Sequence, residues 1–291
     1  LFLTVNAYAG ELTVTGSANA SYVVNGGSVN NNDKGLGISN ELKFAASGEL
    51  DNGFTWSYFM ELDGNDSGAH DNDDSQLKIG MGSMGTLQYN NIAGSKANGI
   101  DDVTPFAMDE AWGSTIGSGS ASSNPSFFGA STASGSVDYR IPTQEISGMT
   151  IDASITVDPS ADVGAAGARA ANVTTNSGMA YTITGSMAGF SFGAGLETVE
   201  GSDNNSAKSN GNDEESVTGY IKYANGPITV GYQEAYQNTL DGGRDQEAQM
   251  MGVAYTAGDI TLSYSEQTLT KSETSDTVAI DVDLESLQLA Y

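Results

Sequence analysis

From Glu11 onward the chain alternates apolar and polar residues with a period of two. This is the pattern of strands, whose successive side chains point to opposite faces. The first run places Leu12, Val14, Ala18, Ala20 and Tyr22 on one parity and Thr13, Thr15, Ser17, Asn19 and Ser21 on the other. A second run sets Leu36, Ile38, Leu42, Phe44 and Ala46 against Ser39, Glu41, Lys43 and Ser47. Phe54, Trp56, Tyr58, Met60 and Leu62 alternate with Thr55, Ser57 and Glu61, a run in which Phe59 is the exception. Later runs repeat the scheme, as in Met149, Ile151, Ala153, Ile155 and Val157 or Ile260, Leu262 and Tyr264. The template predicts about fourteen strands, over residues 11–24, 35–50, 53–63, 75–83, 85–91, 135–141, 148–158, 178–187, 189–199, 215–225, 227–237, 247–257, 259–269 and 283–291.

The connections sort by length. Short ones fall at Leu50-Asp51-Asn52-Gly53, Ser83-Met84-Gly85, Ala188-Gly189, Asn225-Gly226-Pro227 and Ala257-Gly258-Asp259. Such glycine-bearing pairs supply the positive φ that tight hairpins need. The intervening connections, such as 63–74, 159–176, 200–213 and 238–246, are longer, mostly acidic and rich in Asn, Ser and Gly. Short turns on one side and long loops on the other are the asymmetry of a membrane barrel. In such a barrel the apolar face meets lipid and the polar face a watery lumen. In a soluble sandwich the apolar face would meet a core instead, and parity alone does not separate the two. The expected fold is therefore an all-β, antiparallel, up-and-down transmembrane β-barrel, chosen on turn asymmetry, strand number and the N-terminal segment.

That segment, Leu1-Phe2-Leu3-Thr4-Val5-Asn6-Ala7-Tyr8-Ala9, reads as the end of a signal peptide with an Ala-x-Ala cleavage site, which places the mature start at Gly10. The competing reading is a soluble protein that opens on a short apolar strand. The expected organisation is a signal-peptide remnant over 1–9 and one barrel over 10–291. No run of about 18 apolar residues suggests a membrane helix, but barrel strands would not show one.

Charge narrows the partners. The 37 Asp+Glu outnumber the 10 Lys+Arg, for a net charge of −27. Nucleic acid is excluded as a partner because phosphate binding needs clustered basic side chains, and docking on anionic lipid through a basic patch is excluded likewise. A disordered acidic chain would lack the 13 Tyr, 9 Phe and 2 Trp in regular alternation. With no cysteine, disulfides and thiolate metal sites are out.

The chain resembles alphaproteobacterial general porins, especially those of marine bacteria. The matching stretches are Gly10-Glu11-Leu12-Thr13-Val14-Thr15-Gly16-Ser17 after the Ala-x-Ala site and Ser47-Gly48-Glu49-Leu50-Asp51-Asn52-Gly53 between two strands. Met84-Gly85-Thr86-Leu87, Asp101-Asp102 and Ile146-Ser147-Gly148-Met149-Thr150 match as well. The resemblance implies a bacterial outer-membrane channel, a homotrimer amid lipid and lipopolysaccharide. It also implies a 16-stranded barrel, so that two C-terminal strands would be absent from this sequence. In proteins of this kind the loop after the fifth strand folds inward and narrows the pore. Here that is the longest connection, residues 92–133, carrying Asp101, Asp102, Asp109 and Glu110, with Pro105, Phe106 and Trp112 to pack it on the wall. The competing reading is an ordinary surface loop, but structureless loops beyond about 15 residues are uncommon unless functional.

Lys43, Lys78, Arg140 and Lys222 all fall on polar parities, between apolar neighbours. At mid-bilayer on a lipid face each would cost ~2–4 kcal/mol, so all four are expected in the lumen. If they lie close together they form a basic wall opposite the acidic loop, and such rings of charge set selectivity. Wall acids on the same parity are Glu41, Glu61, Asp138 and Asp152, with Asp158 and Glu197 further along. The acidic excess predicts a modest cation preference through the negative potential at the mouth.

The function expected is passive diffusion of ions and small hydrophilic solutes, without cofactor. Two alternatives are an exported β-rich adhesin and a substrate-specific uptake channel, the latter resting on Phe59 and Tyr220 as lumen aromatics. Loop carboxylates at Asp71-Asn72-Asp73-Asp74 and Asp213-Glu214-Glu215 are oxygen-rich enough to raise Ca²⁺, but neither matches a defined signature and no metal residue is assigned. An enzyme is not expected. A Ser-His-carboxylate site would have to use His70, the one histidine, from within an acidic loop. Gly80-Met81-Gly82 also lacks the strand–helix setting of a phosphate loop.

Overall fold

A computed structural model describes residues 10, 12–27, 34–64, 70–91, 94–107, 128–129, 135–159, 177–200, 214–238, 245–271 and 280–291. Its strands are β1 (Thr13–Gly27), β2 (Lys34–Glu49), β3 (Thr55–Gly64), β4 (His70–Gly80), β5 (Thr86–Asn90), β6 (Ser136–Arg140), β7 (Gln144–Ile146) and β8 (Met149–Asp158). They continue as β9 (Gly178–Met187), β10 (Phe190–Val199), β11 (Glu214–Asn225), β12 (Ile228–Asn238), β13 (Gln246–Ala257), β14 (Ile260–Lys271) and β15 (Ile280–Ala290).

Every pairing between these strands is antiparallel, and the series runs β1 to β6, on to β8, through β15 and back to β1. Both β6 and β7 pair with β8, Arg140 opposite Ser154 and Gln144 opposite Ile151, with Ile141 N–H bonding Ala153 C=O between them. They are two pieces of one strand, bulged at Pro142 because proline has no N–H to give the ladder. The fifteen segments therefore make a ring of fourteen strands. The second neighbour of β1 comes from within this sequence, Ser21–Gly27 pairing with Leu284–Ala290. That pairing leaves β1 with a neighbour on both sides. It also satisfies strand edges that hydrocarbon cannot solvate.

The connection lengths alternate as expected. Two-residue links join β7 to β8 (147–148), β9 to β10 (188–189), β11 to β12 (226–227) and β13 to β14 (258–259). At Ala188-Gly189 both residues take positive φ, 51° and 85°. That is the conformation whose twist matches the flanking strands, and Gly189 adopts it without a Cβ penalty. The strand β4 begins earlier than predicted, at His70, so the acidic stretch 70–74 is ladder rather than loop. Pairing there continues across a register shift at Glu61/Leu62. Backbone hydrogen bonds do not depend on side-chain polarity, so an acidic stretch can still extend a strand.

Burial is inverted relative to a soluble protein. On β9 the polar parity is covered (Thr182 4%, Thr184 8% exposed), while Tyr181 and Ile183 stand 46% and 49% exposed. The same holds for Ser216 and Thr218 against Val217, and for Ser286 and Gln288 against Leu287 and Leu289. A sandwich would do the reverse. Here the apolar side chains face outward and the polar ones inward.

The outward apolar band has an edge. Across β12 to β15 the row Val230–Val253–Tyr264–Leu287 is apolar, the next row is Tyr232–Met251–Glu266–Glu285, and the next is Glu234–Gln249–Thr268–Asp283. Above that edge the inward face carries one apolar cluster, Ala235, Ala248, Met250 and Leu269, bordered by the inward amides Gln233, Gln237, Gln246 and Gln267.

Candidate functional site

The connection from β5 to β6 enters the ring. Asp138 on β6 is fully buried and accepts the Lys96 N–H at 2.8 Å, the Thr156 hydroxyl at 2.6 Å and Arg140 Nη2 at 2.9 Å. Gln88 Nε2 and Arg140 Nη2 both donate to Gly94 C=O, at 2.8 and 3.3 Å. A short 3₁₀ turn at Asn98–Ile100 follows. The segment next reaches β12, where Gln233 meets Ile100, Asp101 and Val103. It then passes Pro105 over the inward-facing pair Gly231 and Gly252, and bonds Ala107 N–H to Ser263 Oγ on β14 at 2.7 Å. On the β10 side, Phe128 and Ile100 fill the space beside Gly195, and Gly129 N–H bonds Glu197 Oε2 at 2.9 Å.

The glycines explain the close approach. A Cβ on Gly252 would lie 2.4 Å from Pro105 O, and one on Gly195 would lie 2.3 Å from the Phe128 ring. Glycine in a strand interior often marks such a contact. Inward-parity glycine is the sequence signal that marks this path. The polar anchors Gln233, Glu197, Thr218 and Ser263 carry no comparable signal, because every inward position tends to be polar.

Three of the four wall cations come together. Lys43, on β2, pairs with Glu61 at 2.8 Å and lies 3.8 Å over the Phe59 ring. Phe59 breaks the apolar alternation because it faces inward beneath that ammonium, where the ring face attracts a cation. Lys78, on β4, lies within electrostatic reach of Lys43, Arg140, Asp74 and Asp138. The fourth, Lys222, departs from the expected cluster. It sits on β11 opposite Ser191 and Gly231, beside Pro105, with three or more strands between it and β6 on either path around the ring. Parity made all four inward, but only strand order decides which inward residues are neighbours.

The predicted acids also divide. Asp101 accepts Asn98 Nδ2 at 3.0 Å and the Asp102 N–H at 2.9 Å, so this pair lies at the β11–β12 side of the lumen. Glu41 is exposed and accepts the Ser17 hydroxyl at 3.3 Å. Asp152 accepts from Thr143 near the short-turn end. Asp109, Glu110 and Trp112 lie outside the described residues. Tyr220 packs against the cluster of Ala97, Ile100, Phe128 and Ala180 rather than standing free, which weakens the reading of it as a solute-stacking aromatic. Among the described residues no group of three or more His, Cys, Asp or Glu is arranged to hold a metal ion.

Comparison with known proteins agrees with this geometry. The family model described as Gram-negative porin matches residues 2–291. No curated protein matches the chain. Among solved structures, Salmonella typhi OmpF in complex with daunomycin aligns at TM-score 0.58 and 12% identity, over 96% of this chain and 97% of that one. The Vibrio cholerae outer-membrane protein OmpT, in its trimer form, aligns at TM-score 0.54 and 12% identity, over 97% of this chain and 99% of that one. A porin refined at 1.8 Å resolution aligns at TM-score 0.54 and 13% identity, over 97% and 99%. At such identities the structural likeness speaks for the fold.

Proposed function

This chain belongs to the Gram-negative porin family, an outer-membrane channel, and on that premise we propose a passive, modestly cation-preferring path for ions and small hydrophilic solutes. The observation that carries the proposal is the in-folded segment 94–107, bonded to β6, β12 and β14 across a lumen lined by polar side chains. It acts as the constriction loop. Family and fold point to a channel rather than an enzyme, and we assign no catalytic chemistry. The short motifs around Gly10, Ser47 and Ile146 favour the alphaproteobacterial branch, and three copies assemble as a homotrimer in lipid and lipopolysaccharide.

Cation preference follows from how the wall charges are paired. Lys43 is matched by Glu61 and Arg140 by Asp138, so much of the basic wall is neutralised locally. Asp101, Asp102 and Glu41 add negative charge, and the whole chain carries −27. A negative potential concentrates cations at the entrance.

Purified protein in a planar bilayer under a KCl gradient is expected to give stepwise conductance with a cation-directed reversal potential. An anion-directed potential would put the basic wall in control and overturn the stated preference. In the same assay Lys43→Gln with Lys78→Gln is expected to raise the K⁺/Cl⁻ permeability ratio about twofold or more, since fixed charge lining a pore sets its selectivity. An unchanged ratio would place these two lysines off the conducting path.

A further inference from the structure

We propose that Gln233 is the positioning residue that holds the in-folded segment and thereby sets the free cross-section of the pore; this rests on the channel reading above. Gln233 is fully buried on the inward face of β12. Its Oε1 accepts the Val103 N–H at 2.8 Å. Its Nε2 donates to Ile100 C=O and Asp101 C=O, both at 2.9 Å, and to Thr218 Oγ1 at 2.8 Å. Thr218 Oγ1 donates onward to Glu234 C=O at 3.0 Å, so the clamp is tied into two adjacent strands. Among the described residues Gln233 is the only strand side chain that both donates to and accepts from the 94–107 segment. Asp138 and Ser263 each accept one backbone N–H from it.

The chemistry requires glutamine. Burying the turn at 100–103 leaves two carbonyls and one N–H facing the wall, and unpaired buried polar groups are costly. One primary amide at the end of a two-methylene arm meets all three. Glutamate has the same shape but only accepts, and asparagine is one methylene short. Pro105 against Gly231 and Gly252 blocks movement toward the wall, and Gln233 opposes movement away from it. Asp101 and Asp102 ride on the clamped turn, so the same amide also fixes where two carboxylates stand relative to Lys43, Lys78 and Arg140.

The experiment records single channels of Gln233→Leu and Gln233→Glu, both first checked for the heat-modifiable gel mobility of a folded barrel. With the turn unclamped, open-channel current variance is expected to rise severalfold, as roughly three net-favourable hydrogen bonds are lost, two donated by the amide N–H groups and one accepted by its oxygen. Closure is expected at lower voltage than in the wild type, and the glutamate variant behaves like leucine despite its wild-type shape. Folded variants with quiet, wild-type currents would overturn the clamp while leaving the channel reading intact. Absence of channels in the wild type would instead overturn the channel reading. Hydrogen exchange on the wild-type protein in detergent serves if neither variant folds. The Val103 amide is expected to exchange as slowly as ladder amides of β12, and exchange at the rate of an open loop would sink the proposal.

Discussion

Ile183→Arg is expected to destabilise the folded protein by about 2–4 kcal/mol, the cost of a guanidinium near the midplane on the lipid face of a barrel. Ile183 lies on β9 between Thr182 and Thr184, is 49% exposed, and has Tyr181 and Gly185 as outward neighbours on the same strand. In water an exposed arginine there would be harmless, because surface substitutions usually change stability by less than about 0.5 kcal/mol. The sign and size of the effect therefore report the solvent on that face. Urea unfolding of vesicle-embedded protein measures it, with Glu285→Arg on β15, outward but above the apolar edge, as the comparison. Equal, small effects at both positions would contradict a lipid-facing band at β9.

Asp138→Ala is expected to be the most damaging change within the lumen. Its carboxylate is fully buried and receives three donors: the Lys96 backbone N–H, the Thr156 hydroxyl and Arg140. Removing one partner of a wholly buried pair costs ~3–5 kcal/mol because the other charge is stranded. Arg140 keeps 29% of its side chain exposed, so water recovers part of that loss and about 2–3 kcal/mol is the better expectation. The Lys96 N–H and the Thr156 hydroxyl are still left in a dry place. The base of the in-folded segment loosens with them, so the variant should show both a lower urea midpoint and unsteady single-channel current. A lowered midpoint with steady current would mean that Asp138 supports the wall but not the segment.

Much of the wall was legible in the sequence because it is governed by local rules. Among the described strands alternation found all but the β7 piece, Gln144–Ile146, beyond Pro142, since lipid on one side and water on the other force a period of two. Glycine pairs marked the hairpins at 188–189, 226–227 and 258–259 because positive φ is intrinsically cheap there. The same rules misplaced the start of β4, since an acidic, non-alternating stretch such as His70–Asp74 can still pair through its backbone. Phe59 departs from the alternation because its ring lies beneath the Lys43 ammonium inside the lumen.

The site itself was legible only in part. Loop length singled out the connection after β5, and parity sent Lys43, Lys78, Arg140 and Lys222 inward. Neither could say that Lys222 stands apart or that Gln233, rather than any other inward amide, meets the turn at Ile100–Val103. Those facts depend on strand order and register, which bring residues more than a hundred positions apart within hydrogen-bond distance, as with Val103 and Gln233.

What the sequence determined alone was the alternation, the turn chemistry and the sign of the net charge, because each is a property of neighbouring residues or of their sum. Which face meets lipid, how β1 meets β15, and where the in-folded segment comes to rest were decided by the tertiary structure. The reason is physical. A strand's backbone can pair in many registers, and only the closed set of all pairings, with the segment packed inside it, selects one.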